Sequence, residues 1–130
     1  MIYLACPYSH RLKRVRVARF RAVTRAAGRL MARGLHVFSP ISHTHPIATA
    51  VGLPLGWDYW QAYDTEILAA CDTLAILTLD GWEGSAGIRG ECNIARGLGL
   101  RIVRVDGAIG DVTVPSLSVQ NAVDRIRGKE

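Results

Sequence analysis

The stretch from residue 73 to residue 91 decides the fold. It opens with Thr73-Leu74-Ala75-Ile76-Leu77-Thr78-Leu79, turns through Asp80-Gly81-Trp82-Glu83-Gly84, and continues as Ser85-Ala86-Gly87-Ile88-Arg89-Gly90-Glu91. The first seven residues are a continuous apolar run of strand length, the pattern of a parallel strand buried on both faces. The turn leads into a helix expected over residues 85–98, with Gly99 behind it. Arg101-Ile102-Val103-Arg104-Val105 is the next strand. Strand, helix and strand in that order make a right-handed βαβ unit.

The same alternation extends outward. Ile2-Tyr3-Leu4-Ala5 is a short apolar strand bounded by Pro7. Residues 11–33 read as a helix. Val15, Ala18, Ala22, Ala26 and Leu30 recur at spacings of three and four, and Val23, Ala27 and Met31 widen the stripe. Ser9 is its candidate N-cap and Gly34 its stop. Leu35-His36-Val37-Phe38 is a second strand, ended by Pro40. Residues 39–56 hold three prolines, two glycines and two histidines, and read as a long functional loop. Residues 57–71 form a helix. A weak strand over 112–114 and a last helix over 116–127, opened by Pro115, complete the reading. The expected fold is α/β: one three-layer flavodoxin-like or Rossmann-like domain with a parallel sheet of four to five strands. In such sheets ligands bind beyond the carboxyl ends of the strands. Those ends are residues 6–10, 39–45, 80–85 and the segment after Val105.

Composition excludes several classes. The 130 residues carry 16 cations and 11 anions, a net charge of +5, with 49% hydrophobic and 21% charged residues. That is an ordinary soluble domain. No apolar run is long enough for a membrane span, and no basic-then-apolar leader opens the chain, so a cytoplasmic location is expected. Cys6, Cys71 and Cys92 are odd in number and widely spaced, which excludes a fully paired disulfide framework and any CxxC metal pattern. Nine of the sixteen cations lie between Arg11 and Arg33, where there is no Asp or Glu. The run is either a solvated helix face or an attractor for an anion such as a phosphate. Cations at its start oppose the helix dipole, a conflict that an anionic ligand would relieve. Duplex nucleic acid is a weaker candidate, since no DNA-reading motif accompanies the charge.

The loop after the first strand, Cys6-Pro7-Tyr8-Ser9-His10, contains no glycine. A dinucleotide fingerprint and a P-loop are therefore both missing. Gly87 and Gly90 are poor helix residues, at roughly 1 kcal/mol each against Ala. They either admit a ligand close to the backbone or pack the helix on the sheet. Trp57, Trp60 and Asp64 share one helix face with Cys71. They are either core tryptophans with a rim carboxylate, or a stacking surface with a carboxylate at its polar edge. His43 and His45 form an HxH pair without an evident third ligand, so substrate contact suits them better than zinc. Asp72 reads as a cap or turn residue.

Four features in order resemble the nucleoside 2-deoxyribosyltransferase-like superfamily. They are Tyr3 in the opening strand; Asp64 eight residues before Asp72; Gly-Ser-x-Gly-x-x-Gly-Glu ending at Glu91; and a helix followed by Gly-Leu-Arg-Ile-Val. Ser-Pro-Ile-Ser-His-x-His-Pro and Trp-Asp-Tyr-Trp look like a small bacterial and phage branch known largely as a domain of unknown function. The resemblance covers about residues 1–105 and implies an N-glycosidase or glycosyltransferase acting on nucleosides or nucleotides. Glu91 is then the nucleophile, Asp64 assists the departing base, and Tyr3 holds Glu91. Ser85 matches the serine of the nucleoside 5′-monophosphate N-hydrolases, where the transferases carry an aspartate. Ser85, Gly87, Ser9, His10, Arg11 and Arg14 would bind the phosphate end; His43, His45, Trp57 and Trp60 would bind the rest. No metal or cofactor is implied, and a homo-oligomer is. The alternatives are a nucleoside 2-deoxyribosyltransferase acting on free nucleosides and a non-catalytic nucleotide sensor.

Overall fold

A computed structural model describes residues 1–107 and Ile126. The expected strand over 112–114 and helix over 116–127 lie outside the described residues, apart from Ile126. The order of elements is β1 (Ile2–Ala5), α1 (Lys13–Ala32), β2 (Val37–Phe38), α2 (Pro40–Val51), α3 (Trp57–Ala69), β3 (Thr73–Thr78), a 3₁₀ turn (Trp82–Gly84), α4 (Ala86–Gly97) and β4 (Arg101–Asp106). The four strands described are all parallel, in the order β2-β1-β3-β4. The α/β fold with a parallel sheet is therefore as the sequence predicts.

Strand alternation sorts the core into two layers. Ile2 and Leu4 of β1 face α1 together with Ala75, Leu77 and Val105, packing on Val23, Ala26, Ala27 and Leu30. Tyr3 and Ala5 face the other way with Leu74 and Ile76, packing on Leu68 of α3 and on Ile88, Cys92 and Ala95 of α4. A fully buried aliphatic side chain such as Leu4, Leu30 or Leu68 contributes roughly 1.5–3 kcal/mol. The pairing Tyr3↔Leu74 and Ala5↔Ile76 aligns the ends of the two central strands. Strand order reverses between them: β1 leads outward to β2, and the chain returns across β1 to β3. A crevice must open beyond Ala5 and Thr78.

Two local expectations are corrected. Ser9 is not the cap of α1. The N-cap is Leu12, with no side-chain bond, because His10 Nδ1 accepts the Leu12 N–H at 3.0 Å and holds the preceding residues outside the helix. Residues 39–56 are not a loop. Ser39 Oγ accepts from the Ser42 N–H at 3.2 Å, Pro40 takes the first helical position, where its missing N–H is harmless, and Gly52 closes α2 at φ 73°. Pro46 sits inside this helix and removes one backbone bond. Thr44 Oγ1 donates to the Pro40 carbonyl at 2.9 Å within the same turn.

Candidate active site

The crevice is a cavity of about 510 Å³. Four segments build it: residues 6–10 after β1, one face of α2, the start of α3, and the turn and first helical residues after β3. Glu91, Asp64, Ser85, Gly87, Ser9, His10, His45, Trp57 and Trp60 all line it. These expected site residues, spread over more than 80 positions of the sequence, are thus brought together.

At its inner end two carboxyls and a phenol meet. Tyr3 is completely buried, and Asp64 and Glu91 are each only 6% exposed. The Tyr3 hydroxyl donates a short hydrogen bond to Glu91 Oε2. This follows from the alternation of β1, which points Tyr3 at the α3–α4 layer, where the inward faces of those helices present Asp64 and Glu91. Burial pushes the Glu91 carboxyl up to about 8; the Tyr3 hydrogen bond opposes that and the Asp64 charge adds to it. Burial likewise raises Asp64 to about 6, against a lowering contribution from Tyr3. Burial, reinforced by both carboxyls, holds the Tyr3 hydroxyl protonated far beyond the ordinary tyrosine range. Asp64 Oδ1 is buried with no hydrogen-bonding partner among the described residues. Asp64 as a residue also lines the cavity. Two coupled carboxyls whose protons leave near pH 6 and pH 8 hold one proton between them at neutrality.

Trp57 forms a wall. A Cβ built on Gly90 would lie 2.6 Å from Trp57 Cε2 and 2.7 Å from Nε1, and one on Gly87 3.9 Å from Cε3. The glycines of α4 therefore seat the indole. Gly90 does not bring backbone to a ligand; it makes room for Trp57. Trp60 is anchored through its Nε1–H, which donates to the Pro54 carbonyl at 2.8 Å. Ser85 caps α4, its Oγ accepting the Ile88 N–H at 3.2 Å, so its own hydroxyl proton stays available to an acceptor.

Three expected contacts are not made in this cavity. Arg14 lines a separate groove with Val15, Ala18 and Thr78, which meets the cavity at Arg19. Arg11 lines an adjoining hollow. His43 is exposed against Tyr63, with Nε2 3.1 Å from the Tyr63 hydroxyl. Because α2 is a helix, residues two apart point about 200° from each other, and only His45 turns inward. Its Nδ1 is 2.5 Å from the Tyr8 hydroxyl and its ring stacks on Phe20 at 4.3 Å. Burial, then the charges of Arg16 and Lys13, lower its pKa and keep it neutral.

Other lining residues are not marked in the sequence. Arg19 donates from Nη1 to the Ser9 carbonyl at 3.1 Å and from Nη2 to the Asp80 carbonyl at 3.0 Å, tying the loops after β1 and β3 together. Gly81, at φ 91°, receives it: a Cβ there would sit 2.8 Å from Nη2. Nothing in a run of nine cations distinguishes this one, since its partners are backbone atoms of distant loops. Tyr8, Thr44 and Asp58 line the cavity as well. Thr44 belongs to a helix whose prolines give it the look of a loop; Asp58 sits in the first turn of α3, beside Trp57. Asp72 is peripheral, bonded to Thr73 and the chain's amino group. No three His, Cys, Asp or Glu side chains converge as a metal site among the described residues, and no helix there is long and apolar enough to cross a membrane.

No curated protein matches the chain at a significant level. The segment that carries all four described strands and the walls of the cavity, residues 1–106, matches the family described as a domain of unknown function, DUF1937. The chain belongs to that family.

Proposed function

We propose that the protein cleaves the N-glycosidic bond of a nucleoside 5′-monophosphate by hydrolysis, with Glu91 as the nucleophile. The observation that carries this reading is the buried Tyr3–Glu91–Asp64 cluster facing a cavity of nucleoside size. Cleavage of such a bond passes through a state with positive charge at C1′, which an adjacent carboxylate stabilises and captures. The Glu91 carboxylate forms an ester bond to C1′ while the bond from C1′ to the base nitrogen breaks and the base takes a proton from Asp64. Water then hydrolyses the ester, giving its proton back to the ionised Asp64 and regenerating the Glu91 carboxylate. Reaction needs the proton shared by the pair on Asp64. With Asp64 at about 6 and Glu91 at about 8 the proton rests on Glu91, and the positive charge developing at C1′ favours ionised Glu91 and so moves it to Asp64. Trp57 or Trp60 stacks on the base. The phosphate is held by the Ser85 hydroxyl and the start of α4, with Arg19 and His10 in place of Arg14. The likeness to the nucleoside 2-deoxyribosyltransferase-like superfamily supports the same roles and carries with it a homo-oligomer, which light scattering measures.

The test is a panel of nucleosides and 5′-monophosphates with chromatographic detection of free base. Monophosphates react at least ~10-fold better in kcat/KM, the worth of about one hydrogen bond to a charged group. Glu91→Gln loses at least ~10²-fold. An active Glu91→Gln variant overturns the mechanism. Equal rates on free nucleosides, with a second base accepted in place of water, favour the transferase. Nucleotide binding without base release favours the sensor.

A further inference from the structure

A second hollow of about 440 Å³ adjoins the main cavity. The two share Ser9, His10, Leu55 and Gly56, and the second adds Arg11 and Arg16. No acidic residue lines it among the described residues; Asp58 lies on the main-cavity side. His10 Nδ1 accepts the Leu12 N–H, so the ring proton sits on Nε2, which is a donor. Arg16 spends one N–H on the His10 carbonyl at 2.5 Å, which fixes its guanidinium, a group with five donors, at this rim. Its charge also reaches Tyr8 and His45 on the neighbouring wall. The hollow is thus a donor-rich, cationic continuation of the cavity. A 5′-monophosphate is met at Ser85, Arg19 and His10, at the boundary of the two spaces, and leaves Arg11 and Arg16 unused.

We propose that the site also accepts, and prefers to a plain 5′-monophosphate, a nucleotide with a pyrophosphate linkage, whose second phosphate lies in this hollow against Arg11 and Arg16, with His10 between the two phosphates. The proposal rests on the N-glycosidase reading for the cleaved bond, but its binding part is separately testable. Planar guanidinium groups suit phosphate oxygens because paired N–H donors match them.

The experiment compares a nucleoside 5′-monophosphate with the 5′-diphosphate and the symmetric dinucleoside diphosphate of the same base. Base release is followed in the wild-type protein, and tryptophan-fluorescence titration in Glu91→Gln, where ligand survives. The expected result is a preference of at least ~10-fold for the pyrophosphate compounds, falling towards one in Arg11→Ala and in Arg16→Gln. Circular dichroism checks that both variants fold. Base release with no preference for a second phosphate overturns this proposal and leaves the glycosidase reading standing. An arginine-dependent preference in binding, with no base released, supports the hollow and overturns the glycosidase. A preference that both variants retain also overturns the proposal.

Discussion

Replacing Glu91 by glutamine should make the folded protein more stable, and increasingly so as the pH rises. Glu91 is buried, and its pKa is raised from 4.5 to about 8. The neutral carboxyl suits the folded state. Its contribution is complete below the unfolded value of 4.5 and is lost as the pH climbs through 8, because the unfolded chain ionises freely and the folded chain cannot. At 1.36 kcal/mol per pKa unit, the loss is about 1 kcal/mol at pH 5, about 3 kcal/mol at pH 7 and close to about 5 kcal/mol above pH 8. The amide of the Glu91→Gln variant carries no charge and still accepts the Tyr3 hydroxyl proton through its carbonyl oxygen. For a chain of this size, 1 kcal/mol moves the midpoint by about 3–4 °C. The variant should therefore melt about 10 °C or more above wild type at pH 8 and within about 4 °C of it at pH 5. Scanning calorimetry at both pH values, with urea unfolding as a second probe, measures this. A shift of the same size at both pH values, or a variant less stable than wild type at pH 8, refutes the reasoning. Loss of base release alongside the gain in stability would identify Glu91 as a group kept at the expense of stability.

On the proposed glycosidase mechanism, kcat/KM of the wild-type protein should trace a bell with limbs near pH 6 and pH 8, set by the Asp64–Glu91 pair. A flat profile across that range would separate the pair from the chemistry. In Tyr3→Phe the hydrogen bond that lowers the Glu91 pKa is gone, so the plateau falls about tenfold and the alkaline limb moves above 8; an unmoved limb contradicts the positioning role. Gly90→Ala forces the Trp57 indole away and should cost about 1–3 kcal/mol with a change in tryptophan emission. Gly87→Ala, with only ordinary contacts, should be neutral or gain up to about 1 kcal/mol, and equal effects at 87 and 90 would dismiss the seat for Trp57. Arg19→Lys cannot span the Ser9 and Asp80 carbonyls together; KM for a 5′-monophosphate should rise about tenfold, for one lost charged hydrogen bond, and an unchanged KM removes Arg19 from the phosphate site.

The strands of the sheet, their parallel sense and the helices α1, α3 and α4 are legible in the sequence because apolar run length and 3.6-residue periodicity are local properties of the chain. Tyr3, Asp64 and Glu91 are expected as a set only through the superfamily resemblance that their order along the chain carries, since the residues taken singly leave core and rim readings open, and Ser85 stands out through its place before a helix. α2 is not legible as a helix while its prolines count as loop formers, although Ser39, Pro40 and Gly52 stand at the cap, first and stop positions of a helix. A loop puts His43 and His45 together; the helix points them apart. What only the tertiary structure decided is which of several equivalent residues reaches the cavity. Arg19 is chosen from nine cations because the loops after β1 and β3 close over it, and Gly90 is required because Trp57, 33 residues earlier in the chain, lies against it. The raised carboxyl pKa values belong to the same class. Aspartate and glutamate have ordinary values in an open chain, and only the burial of Asp64 and Glu91 around one phenol, by strands and helices far apart in sequence, supplies the desolvation that shifts them.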